Sequence, residues 1–166
     1  MARRNLRLVV PASANGTASN GPPRRKPNAG LRSREHVTEP EIERLIKVAG
    51  DNRGSHRDRT MLLLAFRRGL RATKLVALKW DQVDLAHGKL HVNRVKNGSR
   101  STRPLKGVEL RALRRLKRER PQSPFVFVSE RGAPSTTVGF RKMIARLGEA
   151  ARFKFRVRPH MLRHAY

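Results

Sequence analysis

The sequence predicts a mainly helical α+β domain, with a small antiparallel hairpin set between two groups of three helices. Two observations carry that prediction. Apolar residues recur at helical spacing, as in Ile42, Leu45, Ile46 and Ala49. One alternating stretch, "KLHVNRV", enters the turn "KNGS" and leaves through "RSTRPL", with Asn-Gly at the centre of the turn. A chain of 166 residues is long enough to bury a core in one domain.

Residues 1–35 read as a disordered basic tail. They are rich in Pro, Gly, Ser, Asn and Ala and carry eight Arg and Lys before the first acid, Glu35. Such a segment buries too little to offset its ordering entropy. The folded domain is expected over 36–166. Thr38 is the N-cap of its first helix, Pro40 lies in the first turn, Glu41 occupies the capping-box position and Gly50 ends the helix. "RTMLLLAFRRG" predicts a central helix over roughly 57–68, broken by Gly69. "ATKLVALKW" predicts a third, short one. After the hairpin, "VELRALRRLKRER" predicts a helix with Val108, Leu110, Leu113 and Leu116 inward, a basic outer face and a stop at Pro121. "FVFVS" reads as a short buried strand or extended piece. Phe140, Met143, Ile144 and Leu147 share one side of the next helix, and Pro159 opens the last.

Charge narrows the function. Lys and Arg number 39 against 12 Asp and Glu, a formal +27. A polyanion relieves the self-repulsion of such a field, so nucleic acid is the first partner to consider. An anionic membrane is the second, but no apolar run is long enough to span one. "LRLVVPASA" is too short, and too closely flanked by arginines, to be a secretory signal. The chain has no cysteine, hence no disulfide and no thiolate metal site, which fits a reducing cytoplasm. A cytoplasmic, nucleoid-associated protein is expected.

Three short stretches can carry chemistry. In "HMLRH", His160, Arg163 and His164 share a helix face. A guanidinium that is always charged, beside two imidazoles, suits a phosphate better than a metal ion, which Arg163 would repel. In "GLRATKLVALKW", Arg71 follows a Gly-Leu corner at a helix start, where it can join free backbone N–H groups in binding an anion. In "VKNGSRSTRPL", Lys96 sits near the tip of the hairpin, able to swing its ammonium to a leaving oxygen. Each stretch alone also reads as solvated basic surface, and for His160 with Arg163 and for Lys96 that is the commoner role of such residues.

Together, in this order, the three resemble the boxes of the tyrosine recombinase (phage integrase) family, over about residues 36–166. "GLRATKLVALKW" is similar to the family's first arginine box, with Arg71 in the place of its catalytic arginine. Lys96 matches the hairpin lysine, and His160 and Arg163 match the His-x-x-Arg box, with His164 as its companion. The ending looks most like the subgroup that inverts fimbrial promoter segments. The resemblance implies double-stranded DNA as substrate, other recombinase protomers as partners in a synaptic complex, no cofactor and no metal. It implies that Arg71, Lys96, His160 and Arg163 are catalytic and that His164 supports them.

Two departures stand out. The position three after Arg71, acidic in the family, is Lys74. The family's nucleophilic tyrosine lies on a later helix, whereas the only tyrosine here is Tyr166, three residues past Arg163. Tyr166 is therefore not expected to be the nucleophile. The chain is expected to be a truncated catalytic domain, inactive alone. The alternative is a non-catalytic DNA-binding remnant or regulator.

Overall fold

The computed structural model describes residues 36–51, 54–93 and 100–163. The tail over 1–35, Lys96 with the hairpin tip, His164 and Tyr166 lie outside the described residues. The order of elements is α1 (Glu39–Val48), α2 (Ser55–Arg68), α3 (Ala72–Val76), β1 (Val83–Asp84), β2 (Lys89–Asn93), β3 (Arg100–Pro104), α4 (Gly107–Glu119), α5 (Thr137–Ala150) and α6 (Pro159–Arg163). Short 3-10 turns lie at Ala49–Asp51 and Trp80–Gln82. The predicted plan of three helices, a hairpin and three helices is the one observed. The short strand β1 adds a third member to the sheet, in the order β1-β2-β3 with both pairings antiparallel.

Local chemistry accounts for the first helix. The Thr38 backbone N–H and its hydroxyl both donate to Glu41 Oε2 at 2.9 Å, the reach-back of a capping box. Ile42 and Leu45 face the core. α2 is the central helix: Met61, Leu62, Leu64 and Ala65 are all buried, and α1, α4 and α6 pack against it. It stops at Gly69, whose φ of 55° lies in the left-handed region that glycine enters without a Cβ penalty.

Elsewhere the structure departs from the pattern. Val108, expected inward, is 48% exposed, while the neighbouring Glu109 is fully buried. The cause is a long-range partner. Arg68 at the end of α2 donates from Nε to Glu109 Oε1 at 2.7 Å and from its terminal nitrogen to Oε2 at 2.5 Å. Glu109 Oε2 also accepts the Lys106 backbone N–H at 2.7 Å, so one carboxylate caps α4 and ties it to α2. Leu113 and Leu116 are buried as expected.

"FVFVS" supplies Val126, Phe127 and Val128 to the core, yet it is an extended piece and not a strand. Its ladder contacts are isolated bridges, Lys79 with Phe125 and Val128 with Pro134. α3 is shorter than its sequence window and ends at Val76. α5 ends at Ala150, with Phe140, Met143, Ile144 and Leu147 buried as predicted. Beyond it Arg152 takes φ 55°, and 152–158 run on without helix. There Phe153 and Phe155 stack with ring centroids 5.3 Å apart, and the Arg44 guanidinium lies over the Phe153 ring.

Candidate functional site

The site is built where α2 ends. Leu70 is buried and anchors the corner after Gly69. Arg71 is then the N-cap of α3, in extended conformation, and its carbonyl accepts the N–H groups of Lys74 and Leu75, each at 2.9 Å. Its side chain is exposed, and Lys74 is half-buried on the same short helix.

α6 arrives from the other end of the chain. Met161 and Leu162 are buried, and the Met161 carbonyl accepts the Val37 backbone N–H at 3.1 Å, closing the last helix onto the first residues of the domain. That burial sets the rotation of α6. His160 and Arg163, three apart, take the same face, with His160 half-buried and Arg163 exposed. The turn at Gly69 lies directly beneath: a Cβ there would stand 3.7 Å from Arg163 Cγ and 3.8 Å from the Arg163 carbonyl oxygen. Arg71 is two residues from Gly69, so its Cα is at most about 7 Å from the Gly69 Cα. Two of the boxes, over 90 residues apart in the chain, thus meet at one corner. Lys96 and His164 lie outside the described residues.

A residue the sequence reading passed over joins them. Arg103, on β3, brings a terminal guanidinium nitrogen to 3.9 Å from that same Cβ position of Gly69. Arg67, Arg68, Gly69, Thr102, Arg103, Pro104 and Arg163 line a cleft of about 490 Å³. The signal for Arg103 was present in the hairpin: alternation about the Asn-Gly turn sets it in phase with Leu90 and Val92. It was one arginine among many in a basic chain, and nothing local set it apart. Among the described residues no group of three His, Asp or Glu is placed to hold a metal ion, and no helix is long and apolar enough to cross a membrane.

Solved structures with this architecture are tyrosine recombinase catalytic domains. The XerA recombinase crystal structure superposes with a TM-score of 0.68 at 27% identity, over 78% of this chain and 47% of that one. The lambda integrase catalytic core does so at 0.65, over 80% of each chain, and at 21% identity that likeness is one of fold.

The sequence matches agree and go further. Residues 35–166 match the model of the phage integrase family, and the chain belongs to that family. It is 32% identical over 145 residues to the type 1 fimbriae regulatory protein FimB of Escherichia coli (strain K12), covering 84% of this chain and 72% of that protein. It is 31% identical to the tyrosine recombinase XerA of Pyrococcus furiosus, over 78% of this chain and 46% of XerA.

Proposed function

We propose that residues 36–166 form the catalytic domain of a site-specific DNA recombinase acting on the phosphodiester backbone of double-stranded DNA. The observation that carries this reading is the seat of Arg163 against the Gly69–Arg71 corner, in a domain of this family. In this reading Arg71 and Arg163 hold the non-bridging oxygens of the phosphate under attack and stabilise the charge that gathers on them. His160 shares that task and assists proton transfer at the attacking tyrosine, with His164 in support. The tyrosine oxygen bonds to phosphorus as the bond to the 5′ oxygen breaks, and Lys96 protonates that oxygen as it leaves. The resulting 3′-phosphotyrosyl bond conserves the energy needed for rejoining, so the exchange requires neither ATP nor a metal ion.

The exposed basic faces of α4 and of residues 141–158 would hold the duplex mostly through backbone contacts that position without reading sequence. Further protomers would complete a synaptic complex. Lambda integrase has been solved as a tetramer on a Holliday junction, and XerH on its difH substrate. The place of action is then the cytoplasm, on the nucleoid. Lys74, where the family has an acid, removes a carboxylate that would orient the arginines. We assign no residue of the 166 as the nucleophile. Tyr166 is three residues past Arg163, and in-line attack requires approach from the side opposite the leaving oxygen. The 166-residue polypeptide is accordingly proposed to bind DNA without becoming covalently joined to it.

Footprinting on fragments of the DNA that encodes the protein, with denaturing gels of nicked duplexes, tests both statements. The expected result is discrete protected sites and no covalent adduct. Binding that is salt-sensitive but indifferent to sequence would reduce the protein to a DNA-binding remnant. An adduct that Tyr166→Phe abolishes would overturn the assignment of no nucleophile.

A further inference from the structure

Arg103 lies on the inner face of the sheet, where a cationic side chain must reach past apolar neighbours to keep its charged end in solvent. Directly paired residues of an antiparallel ladder project to the same side. Arg103 pairs with Leu90, which is fully buried. Along β3 the exposure alternates accordingly, with Thr102 and Pro104 exposed and Arg103 half-buried. The stem of Arg103 therefore runs along the apolar side of the sheet and carries its charged end out at the rim, as long basic side chains do.

That rim is the cleft beside α6. The Arg103 guanidinium and the Arg163 side chain both come within 4 Å of a single point, the position a Cβ would take on Gly69. They reach it from different elements, β3 and α6, and share it with the left-handed turn that ends α2. Arg67 and Thr102 border the same cleft. Arg67, Arg103 and Arg163 border one solvent-filled space, and a ligand that several guanidinium groups can contact at once is an anion with several oxygens.

We propose that Arg103 is a further phosphate-binding residue, holding a phosphodiester oxygen of the DNA strand in the cleft it shares with Arg163. The inference rests on the reading of the domain as a DNA-acting one and adds a contact to it. A phosphate seated between β3 and α6 ties the hairpin to the helix that presents His160 and Arg163.

The test uses the full chain, a 20-base-pair duplex of a sequence it protects, and affinity measured from low to moderate salt. Neutralising one phosphate contributes about −0.9 to the slope of log affinity against log salt. Arg103→Gln is expected to flatten the slope by about one contact and to weaken binding about tenfold, the scale of one charge-assisted bond. Arg103→Lys keeps the charge and is expected to restore the slope but not the whole affinity, because the two-pronged guanidinium is lost. Arg131→Gln, an exposed loop change of equal charge, controls for the general field. Thermal melts of each variant report folding, and the Arg103 guanidinium resonance followed during the duplex titration reports the contact directly. If the unaltered chain fails to bind duplex, the DNA-acting reading itself fails. If it binds, and Arg103→Gln matches Arg131→Gln in slope and affinity or the resonance does not move, the proposal for Arg103 is wrong.

Discussion

Arg67 and Arg68 are neighbours at the end of α2, yet they meet opposite surroundings. Arg68 is 8% exposed and is gripped through two nitrogens by the fully buried Glu109. Arg67 stands at a cleft whose described lining offers Arg103 and Arg163 and no carboxylate. In a chain of formal charge +27, arginine count says little about role. What separates a structural arginine from a ligand-facing one is whether the fold brings it an acid. A buried ion pair tolerates no loss of one partner, because the remaining charge is then stranded in low dielectric. An exposed arginine beside a cleft can be removed at little cost to the fold, and its loss appears in binding.

The largest expected effect follows from the first half of that contrast. Glu109→Ala strands the Arg68 charge and removes the cap of α4. Denaturant unfolding should show a loss of about 3–5 kcal/mol. A loss under about 1 kcal/mol would mean the pair is not a fastening of the fold.

A smaller effect is expected at the hinge between the two arginine environments. Gly69→Ala forces an L side chain into φ 55°, which costs about 1–2 kcal/mol. The added methyl meets Arg163 and Arg103 only at ordinary contact distance, so strain and not collision should set the cost. Unfolding and DNA affinity measured together would show stability falling more than binding.

The smallest effect concerns the β1–β2 turn. Asp84 Oδ1 accepts the backbone N–H of His87 at 2.9 Å and that of Ala86 at 3.1 Å, and its other oxygen meets the His87 ring at 2.8 Å. The His87 backbone N–H first, and its ring second, hold the carboxylate below its ordinary value. A depressed folded-state value means the contribution is present above the unfolded value of about 3.9 and is lost as pH falls through the folded one. Carboxyl-carbon NMR should find Asp84 titrating below the ordinary aspartate value of about 3.9. If Asp84 titrates at that value instead, its hydrogen bonds to the turn do not persist in solution.

Legibility in the sequence divides along the same line. The capping box of Thr38 and Glu41 could be read because its partners are three residues apart. The apolar faces of α1 and α5 could be read because periodicity is local. Val108 and Glu109 could not, since the residue that turns Glu109 inward is 41 positions away. "FVFVS" declared its burial by composition but not its lack of a continuous ladder, which depends on what lies beside it. Among the candidate site residues, the boxes of Arg71 and of His160 with Arg163 were visible as spaced motifs, and the structure brings their backbones to one corner. Arg103 has no motif. Its role depends on strand register and on a glycine turn that only the fold sets beside it.

The sharpest test of the phosphate cleft is Arg163→Gln, with unfolding free energy and duplex affinity measured on the same preparation. Stability is expected within about 0.5 kcal/mol of the unaltered chain, as for an exposed residue. Duplex affinity is expected to be at least about tenfold weaker, with a flatter salt dependence. A variant that binds the duplex as tightly as the original, with the same salt slope, would contradict the claim that this cleft is where the phosphate sits.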